Sequence, residues 1–562
     1  MTASRYKRLL GDWLASLSPV GSVLLMVAAA MFVWQCLTLG EVLIDDAFIT
    51  FSFSKNLALG NGPVYSHGLR AEGYSNFLWM VLVALPLTIA RQMDPLLSAR
   101  LMCGPFVLLL GWGTYRLAAI GTNSRIVGAL AVLLLSFSTD FATAYLSGLE
   151  TLPYTAMFVT SFALLLSSWR KDDPFLRRAR ALVPWCALGA ALMRIDGFMV
   201  LGLVFGFDLA HSLIVRRKFQ PVALLKWAGP ALLAYAVWFG WRWWYYGLPL
   251  PSTYYAKALI PTLLPDRGFN YVKDELTSSA LFAAAFAATW LLARARGWAV
   301  PLVVAAAAQL LYVMKVGGDW MPFGRFVMPA VPLLTVLLIG GMVEAVRTIP
   351  VPLRKARIAA TVALVGVGVV LAGRIDHRWW NDGVENQKIA FISEQIDHVN
   401  RLKRAASFLR AAVPVGRRLV TDYAGVMGYY TDAAVIDMWG LATPVIARRG
   451  GVERIQPIYG RTCPECYPEL DPEFFHVWSP LVRPEPAFKS VQEVIANVWQ
   501  TDTIGRYIDF AKVFAVGRIV DRSRGDALYF LEKRGPAFSS ALRNVDGFQV
   551  DYPFEPPHPN PN

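Results

Sequence analysis

Charge is scarce in this chain. Only 17% of its 562 residues are Asp, Glu, Lys or Arg, whereas 55% are Ala, Val, Ile, Leu, Met, Phe, Trp, Tyr or Cys, and the mean hydropathy is +0.42. Such a balance excludes an ordinary soluble enzyme and an intrinsically disordered chain. Cysteine is scarce too, with 5 residues, so no multi-disulfide framework supports the fold. Cys36, Cys103 and Cys186 sit inside apolar runs, where cysteine packs as a small hydrophobe. The sequence shows neither a P-loop nor a G-x-G-x-x-G after a predicted strand, which argues against a nucleotide substrate. There is no short-period repeat. No small-residue cleavage site follows the first apolar run, so that run is expected to be a retained span and not a removed signal.

What is abundant is long apolar sequence. A hydrocarbon core of about 30 Å asks for about 20 apolar residues per helix. Runs near 21–39, 98–119, 125–142, 150–168, 181–195, 197–215, 225–245, 277–293, 298–315, 325–345 and 356–374 predict about 11 spans. The run 77–90 is shorter and contains Pro86, the pattern of an interfacial or re-entrant helix, and is expected not to cross. The positive-inside rule supports that count. With 77–90 excluded, Arg116, Arg125, Arg170, Lys171, Arg177, Arg178, Arg180, Arg216, Arg217, Lys218, Arg294, Arg296, Arg347, Arg354, Lys355 and Arg357 all fall on the side of Arg5, Lys7 and Arg8. The net charge of +14 then reflects cationic inner loops, and nucleic acid is not needed to explain it. The opposite, outer face receives segments rich in Asp, Gly, Pro and aromatic residues.

After residue 375 the composition turns mixed and globular. The organisation expected is a transmembrane catalytic module over 1–375, with a first outer loop at 40–97, followed by a soluble extracytoplasmic domain over 376–562. Alternation in RRLVTDYAGVMGYY and AAVIDMWG predicts short strands, and SEQIDHVNRLKRAASFLRAAV reads as an amphipathic helix. The fold class predicted is therefore a polytopic α-helical membrane protein with a C-terminal α/β domain.

Asp45 and Asp46 follow the first span directly. A carboxylate pair at a membrane boundary is costly unless it meets water, a cation or a substrate. One reading makes one Asp the general base for an acceptor hydroxyl and the other its support; the competing reading has them cap the helix that follows. Asp45 is slightly favoured as the base. Lys55, Arg70, Lys257 and Arg325 are candidate partners for a phosphate, with interfacial snorkelling as the alternative for Lys55 and Arg70. His67, Glu72, Glu150, Tyr254, Tyr255, Asp319 and Trp320 are candidates for a cavity or acceptor site. Arg194 and Asp196 at a span end are expected to pair with each other. Lys315, Asp319 and Arg325 lie in KVGGDWMPFGRF, whose glycines and proline break a helix, and irregular backbone at membrane depth is tolerated only around a cavity. Arg242, in WFGWRWWYYG, reads as part of an interfacial aromatic belt and is assigned no chemistry. Cys463 and Cys466 form an isolated CxxC; on an oxidising outer face a disulfide is expected and zinc is not.

The segment IDDAFITFSFSKNLALGNGPVYSHGLRAEGYSNFLW resembles the GT-C class of integral-membrane glycosyltransferases, in particular the bacterial branch that includes the mycobacterial terminal β-(1→2)-arabinofuranosyltransferase. The likeness rests on the DD pair after the first span, the N-L-x-x-G-N-G-P-V-[YF] stretch and the G-x-R-x-E segment. SGLE, LPSTYYAK, GGDWMPFGRF and VIDMWGLATPVIARR extend it. After G-x-R-x-E the arabinosyltransferase type has small hydroxyl residues, where this chain reads Gly73-Tyr74-Ser75-Asn76-Phe77. The resemblance implies a catalytic Asp at 45 or 46, a polyprenyl-phosphate sugar as donor, inversion at the anomeric carbon, and a glycan, lipid or protein acceptor outside the bacterial cytoplasmic membrane. Arabinofuranose is one candidate sugar. No organic cofactor is implied, and a divalent cation is the one candidate addition. The rival readings are a transporter or flippase of lipid-linked saccharides, which would want ionisable groups near the bilayer midplane, and a non-catalytic envelope-assembly scaffold. Here Asp208 and His211 are the exceptions in otherwise nearly charge-free spans.

Overall fold

The computed structural model describes residues 18–556, apart from 67–69, 171–179, 216, 218, 258–265, 279–280, 282, 295, 350–382, 456–457, 478–487, 499–500 and 537. Among the described residues, 7 helices are long and apolar enough to cross a membrane: Pro19–Leu39, Pro95–Thr122, Thr151–Ser168, Ile195–Ile214, Pro221–Tyr246, Ala299–Val316 and Val331–Thr348. An eighth span is formed if Arg125–Ser136 and Thr139–Leu146, bent by 67° at their junction, count as one. The expected number was larger. Val183–Met193 and Ala283–Ala293 have 11 residues each, about 16 Å at 1.5 Å per residue, short of a bilayer core. The run 356–374 lies outside the described residues.

The chain divides into two compact units. The first contains residues 1–42, 99–239 and 264–391. Its centre is Thr151–Ser168, with 94% of its most apolar window buried inside the protein. Phe158, Phe162 and Leu165 are fully buried there, so this helix packs against protein on all sides whereas Pro221–Tyr246, 11% buried, presents its side chains outward. In the C-terminal half of Phe198–Ile214, Asp208 accepts two hydrogen bonds of 2.6 Å from Arg180, and His211 stacks on Trp169.

The second unit contains 43–98, 240–263 and 392–562. It includes the helix Asp45–Ala58 and the short helix Phe77–Ile89, whose 13 residues are about 20 Å long. Most of this unit is the tail domain, an α/β fold. In chain order its strands are β1 Arg418–Thr421, β2 Ala434–Asp437, β3 Gly451–Ile455, β4 Ile458–Thr462, β5 Phe474–His476, β6 Phe514–Asp521, β7 Ala527–Lys533, β8 Arg543–Val545 and β9 Phe548–Asp551; β3 and β4 pair only with each other, and the rest form a sheet of order β2-β1-β5-β7-β6-β9-β8. β2, β1 and β5 run parallel, with Leu419 opposite both Val435 and Phe474, and the remaining pairs are antiparallel. Parallel neighbours need a crossover, and the helix Ala424–Tyr430 supplies it between β1 and β2. The amphipathic segment forms the helix Gly383–Ala412, burying Val399, Leu402, Ala406 and Leu409 at helical spacing. Cys463 and Cys466 are joined as a disulfide, packed in a core with Val420, Ile436, Tyr467, Phe475 and Val516.

Candidate active site

The acidic pair opens the helix Asp45–Ala58, preceded by extended backbone at Ile44. Capping of that helix was one of the two readings of the pair, and the carboxylate of Asp45 does bind backbone N–H groups, but of a different helix. Val426 donates to Asp45 Oδ1 at 2.8 Å, and Gly425 donates to Oδ2 at 3.3 Å. Both belong to the tail helix Ala424–Tyr430. Burial pushes the Asp45 carboxyl up to about 7, with Asp46 and Asp437 adding repulsion and the two N–H groups opposing the rise. Asp46 is half-buried. Adjacent side chains on a helix diverge by about 100°, so the two carboxylates leave the backbone in different directions.

Beside Asp45 lie the carboxyl ends of the parallel strands, where α/β sheets place their functional groups. β1 ends in Thr421, with Asp422 just after it, β2 in Asp437, and β5 in His476. The Thr421 hydroxyl and His476 Nδ1 are 3.4 Å apart, and His476 Nδ1 is 4.0 Å from Asp422 Oδ1. Burial pushes Asp422 up to about 7 and Asp437 up to about 6, and drives His476 down to about 4, so the imidazole is neutral. Asp437 has a structural role: its oxygens accept from the backbone of Trp439 at 3.0 Å and Ala442 at 2.9 Å, fixing the turn after β2. Asp422 and His476 were not singled out from sequence; the signal available was a short alternating strand, RRLVTDY, ending in a carboxylate.

The first-loop motif is held to the rest of this unit by polar contacts. Arg242 Nε donates to both Glu72 oxygens at 2.7 and 2.9 Å, and its Nη1 donates to the carbonyl of Pro249 at 2.8 Å. Arg242 is therefore not a belt residue. Its side chain is 3% exposed and that of Glu72 4%, and the missed signal was an arginine within an apolar helix, which membrane energetics tolerate only with a partner. Glu72, expected at a cavity, is instead the buried counter-ion of Arg242. Tyr74 and Tyr246 share a hydrogen bond of 3.0 Å, and Tyr246 reaches the carbonyl of Pro63.

The four candidate cations have different surroundings. Lys55 donates to Asp432 at 2.8 Å and to the carbonyl of Tyr429 at 2.9 Å. Its charge is used in holding the tail, which removes it from the phosphate set. Arg70 is exposed and lies over the Tyr245 ring at 5.0 Å, and Lys257 is exposed at the end of Ser252–Lys257. Tyr254 and Tyr255 on that helix form a T-shaped pair, and Tyr254 is exposed. In the first unit Arg325 is bonded to Asp319, whose carboxylate also accepts from the Trp320 N–H at 2.8 Å. Trp320 packs on Phe391. Arg194 pairs with Asp196 at 2.9 Å, as expected, and also with Glu150 at 3.4 Å. Asp196 Oδ2, Thr151 Oγ1 and Tyr154 Oη are buried without a hydrogen-bond partner among the described residues, the kind of group that bound water or ligand satisfies. His67 lies outside the described residues. Among them, the group of side chains close enough to share a metal ion is Cys463, Glu465 and Cys466, and its two sulfurs are bonded to each other.

Apolar spans followed by a C-terminal sheet domain are the fold this chain shares with solved integral-membrane proteins of GT-C architecture. The solved archaeal oligosaccharyltransferase AglB of Archaeoglobus fulgidus, in complex with an inhibitory peptide and a dolichol-phosphate, has this fold, with a TM-score of 0.51 over 92% of this chain and 75% of its own at 10% identity. In sequence the chain is 30% identical over 339 residues to the terminal beta-(1->2)-arabinofuranosyltransferase of Corynebacterium glutamicum, covering 52% of this chain and 47% of that protein. It is 28% identical over 226 residues to the protein of the same name from Mycobacterium tuberculosis, covering 38% and 34%. The chain thus spans about half or less of the length of these curated relatives. Residues 390–507 match the family described as Domain of unknown function (DUF8728).

Proposed function

We propose that this protein is a glycosyltransferase that moves a sugar from a polyprenyl-phosphate carrier to a glycan, lipid or protein acceptor at the outer face of the bacterial cytoplasmic membrane. The observation that carries the reading is the Asp45–Asp46 pair, placed at the start of a helix that follows an apolar span and packed among polar groups in a GT-C fold. The names of the two bacterial relatives favour arabinofuranose as the sugar. The outer-face assignment follows from the basic loops, which the positive-inside rule puts in the cytoplasm.

In the proposed reaction an acceptor hydroxyl lies within hydrogen-bond reach of one carboxylate of the pair, which takes its proton as the oxygen attacks the anomeric carbon. The bond between that carbon and the phosphate oxygen breaks, and the polyprenyl phosphate leaves with the electron pair. A single displacement of this kind inverts the anomeric carbon. Of the four candidate cations, Arg70 and Lys257 have no carboxylate partner among the described residues, and they are the proposed partners of the leaving phosphate, through charge-assisted hydrogen bonds worth about 1.5–3 kcal/mol each. The test is incubation of the purified full chain in lipid nanodiscs with a panel of polyprenyl-phosphate sugars. Release of polyprenyl phosphate from the arabinofuranose donor is the expected result. Loss of sugar from none of the donors, with or without an added glycan acceptor, would overturn the proposal.

A further inference from the structure

We infer that the N-terminal end of Thr151–Ser168, together with the segments around Arg194 and Arg325, forms a binding site for the hydroxyl groups of an uncharged sugar. Whether that sugar belongs to the donor or to the acceptor is a question that rests on the proposed glycosyl transfer; the binding of a sugar does not.

Three stretches of broken helix meet here, all within the first unit. Glu150 and Thr151 open their helix just after Gly148, whose φ is 74°. Arg194 has extended backbone between the helix Val183–Met193 and the short turn Ile195–Gly197. Gly317, Gly318 and Gly324 have positive φ in the stretch that precedes Val331–Thr348. Arg194 joins the three. Its Nε donates to Asp196 at 2.9 Å and its Nη1 to Glu150 at 3.4 Å. The guanidinium carbon lies 5.3 Å from the centre of the Tyr154 ring and 4.6 Å from that of Phe326. Phe326 is also within 5.1 Å of the Arg325 guanidinium, which is bonded to Asp319, and its carbonyl accepts from Gln309 at 2.9 Å.

A staple between helices would need no more than these contacts. Three further polar atoms, Thr151 Oγ1, Tyr154 Oη and Asp196 Oδ2, are buried without a hydrogen-bond partner among the described residues, on residues that are 1%, 0% and 2% exposed. Thr151 and Tyr154 stand three positions apart on one helix face, and the other oxygen of Asp196 is held by the guanidinium that lies on the Tyr154 ring. An unsatisfied buried polar atom destabilises the fold, and a ligand that bonds all three offsets that cost. Their chemistry selects the ligand. A carboxylate oxygen accepts from a hydroxyl, and the two protein hydroxyls donate or accept, a pattern that neighbouring sugar hydroxyls match. Phosphate does not fit, because each guanidinium already holds a carboxylate and the three carboxylates outnumber the two guanidiniums. A metal ion does not fit either: among the described residues, Glu150, Asp196 and Asp319 do not bring their oxygens close enough to share one.

The test uses the full chain in lipid nanodiscs, with methyl arabinofuranoside as the probe, saturation-transfer NMR to read binding, and the unfolding midpoint of the same samples. Tyr154→Phe removes one of the hydroxyls and Thr151→Val replaces the other by a methyl group. Each should weaken probe binding about tenfold, the loss expected for one hydrogen bond in a buried site. Each should leave the midpoint without ligand unchanged or higher, since the lost hydroxyl had no partner. The probe should raise the midpoint of the native protein and not that of the double variant. No binding by the native protein, native binding by both variants, or displacement of the probe by an equal concentration of inorganic phosphate would overturn the site. A lower midpoint in both variants would overturn it too, because the hydroxyls would then be bonded within the protein. Transfer kinetics of Tyr154→Phe separate the two sources of sugar. A raised half-saturating concentration for prenyl-phosphate arabinofuranose supports the donor sugar, and one raised only for an oligosaccharide acceptor supports the acceptor. Slower turnover with both concentrations unchanged would contradict either. If the native protein turns over no donor, the glycosyl-transfer reading falls, while probe binding and the midpoints still decide the sugar site.

Discussion

Removing one member of the Glu72–Arg242 pair should destabilise the protein in a way that depends on which member is removed. Both side chains are nearly inaccessible, and the guanidinium spends its Nε on the two carboxylate oxygens. Breaking a buried ion pair costs about 3–5 kcal/mol, because the remaining charge is left without compensation. Arginine cannot neutralise itself, so Glu72→Met should cost that amount at any pH between 5 and 8. Glutamate can. Burial pushes the Glu72 carboxyl up while Arg242 holds it down, so in Arg242→Met the carboxyl is protonated at neutral pH. The cost is then the work of protonation at about 1.4 kcal/mol per pH unit above a reference near 4.3, about 1 kcal/mol at pH 5 and about 4 kcal/mol at pH 7. The sign follows from linkage. The folded pKa of the orphaned Glu72 is raised, so stability is full below about 4.3 and is lost as pH rises toward the folded value. The double variant Glu72→Met/Arg242→Met leaves no charge and should recover most of the loss. Equilibrium unfolding in mixed micelles at pH 5 and 7 measures all three. Losses below about 1 kcal/mol in both single variants, or an Arg242→Met penalty that does not grow with pH, would refute the reasoning.

Three further outcomes are expected. Replacing Cys463 and Cys466 by Ser should lower the stability of the tail domain more than transfer, since the pair lies in the core with Tyr467 and Phe475; two free thiols in the native protein would contradict this. The first-loop Asp45 and the tail residues Asp422 and Asp437 hold protons in the folded unit, raised by burial to about 7, 7 and 6, which favours stability at low pH and withdraws it as pH rises from about 4 toward 7. His476, driven down to about 4, contributes the opposite slope, with stability present above about 6.5 and lost as pH falls toward 4, but one imidazole is outnumbered by three carboxyls. Tail stability measured by urea unfolding should therefore fall between pH 4 and 7, and Asp45→Asn should flatten that fall; an unchanged slope would contradict it. A reporter fused after residue 92 should lie outside the cytoplasm and one fused within 171–180 inside it; a cytoplasmic signal at 92 would reverse the assigned side of every later loop.

The membrane fold was legible because one quantity, apolar run length, decides it. The helices Pro19–Leu39, Pro95–Thr122, Ala299–Val316 and Val331–Thr348 lie within a few residues of the expected runs, apart from Val331, where the Gly and Pro of KVGGDWMPFGRF delay the helix start. Hydropathy overestimates where a run is apolar but its helix is short, as at Ala283–Ala293. The acidic pair was legible from its cost at a membrane boundary. Its partners were not, because Gly425 and Val426 act through backbone N–H groups, which carry no residue-type signal. Arg242 was misread since an arginine among tryptophans looks interfacial until its carboxylate, 170 positions away, is known. The cations suffered the same limit: Lys55 and Arg325 are chemically fit for phosphate, but each is bonded to a carboxylate, Asp432 or Asp319, that composition does not connect to it.

The measurement that tests the central claim most directly is transfer from a radiolabelled polyprenyl-phosphate arabinofuranose to an oligosaccharide acceptor by the native protein and by Asp45→Asn and Asp46→Asn, with the anomeric configuration of the product determined. The native protein is expected to form a glycoside inverted relative to its donor. One of the two Asn variants is expected to fold normally and lose about 10²–10⁴ in rate, the range attributed to general-base catalysis, with a smaller loss for the other. Full transfer by both variants would contradict a role for the pair, and a product with retained configuration would contradict the single displacement.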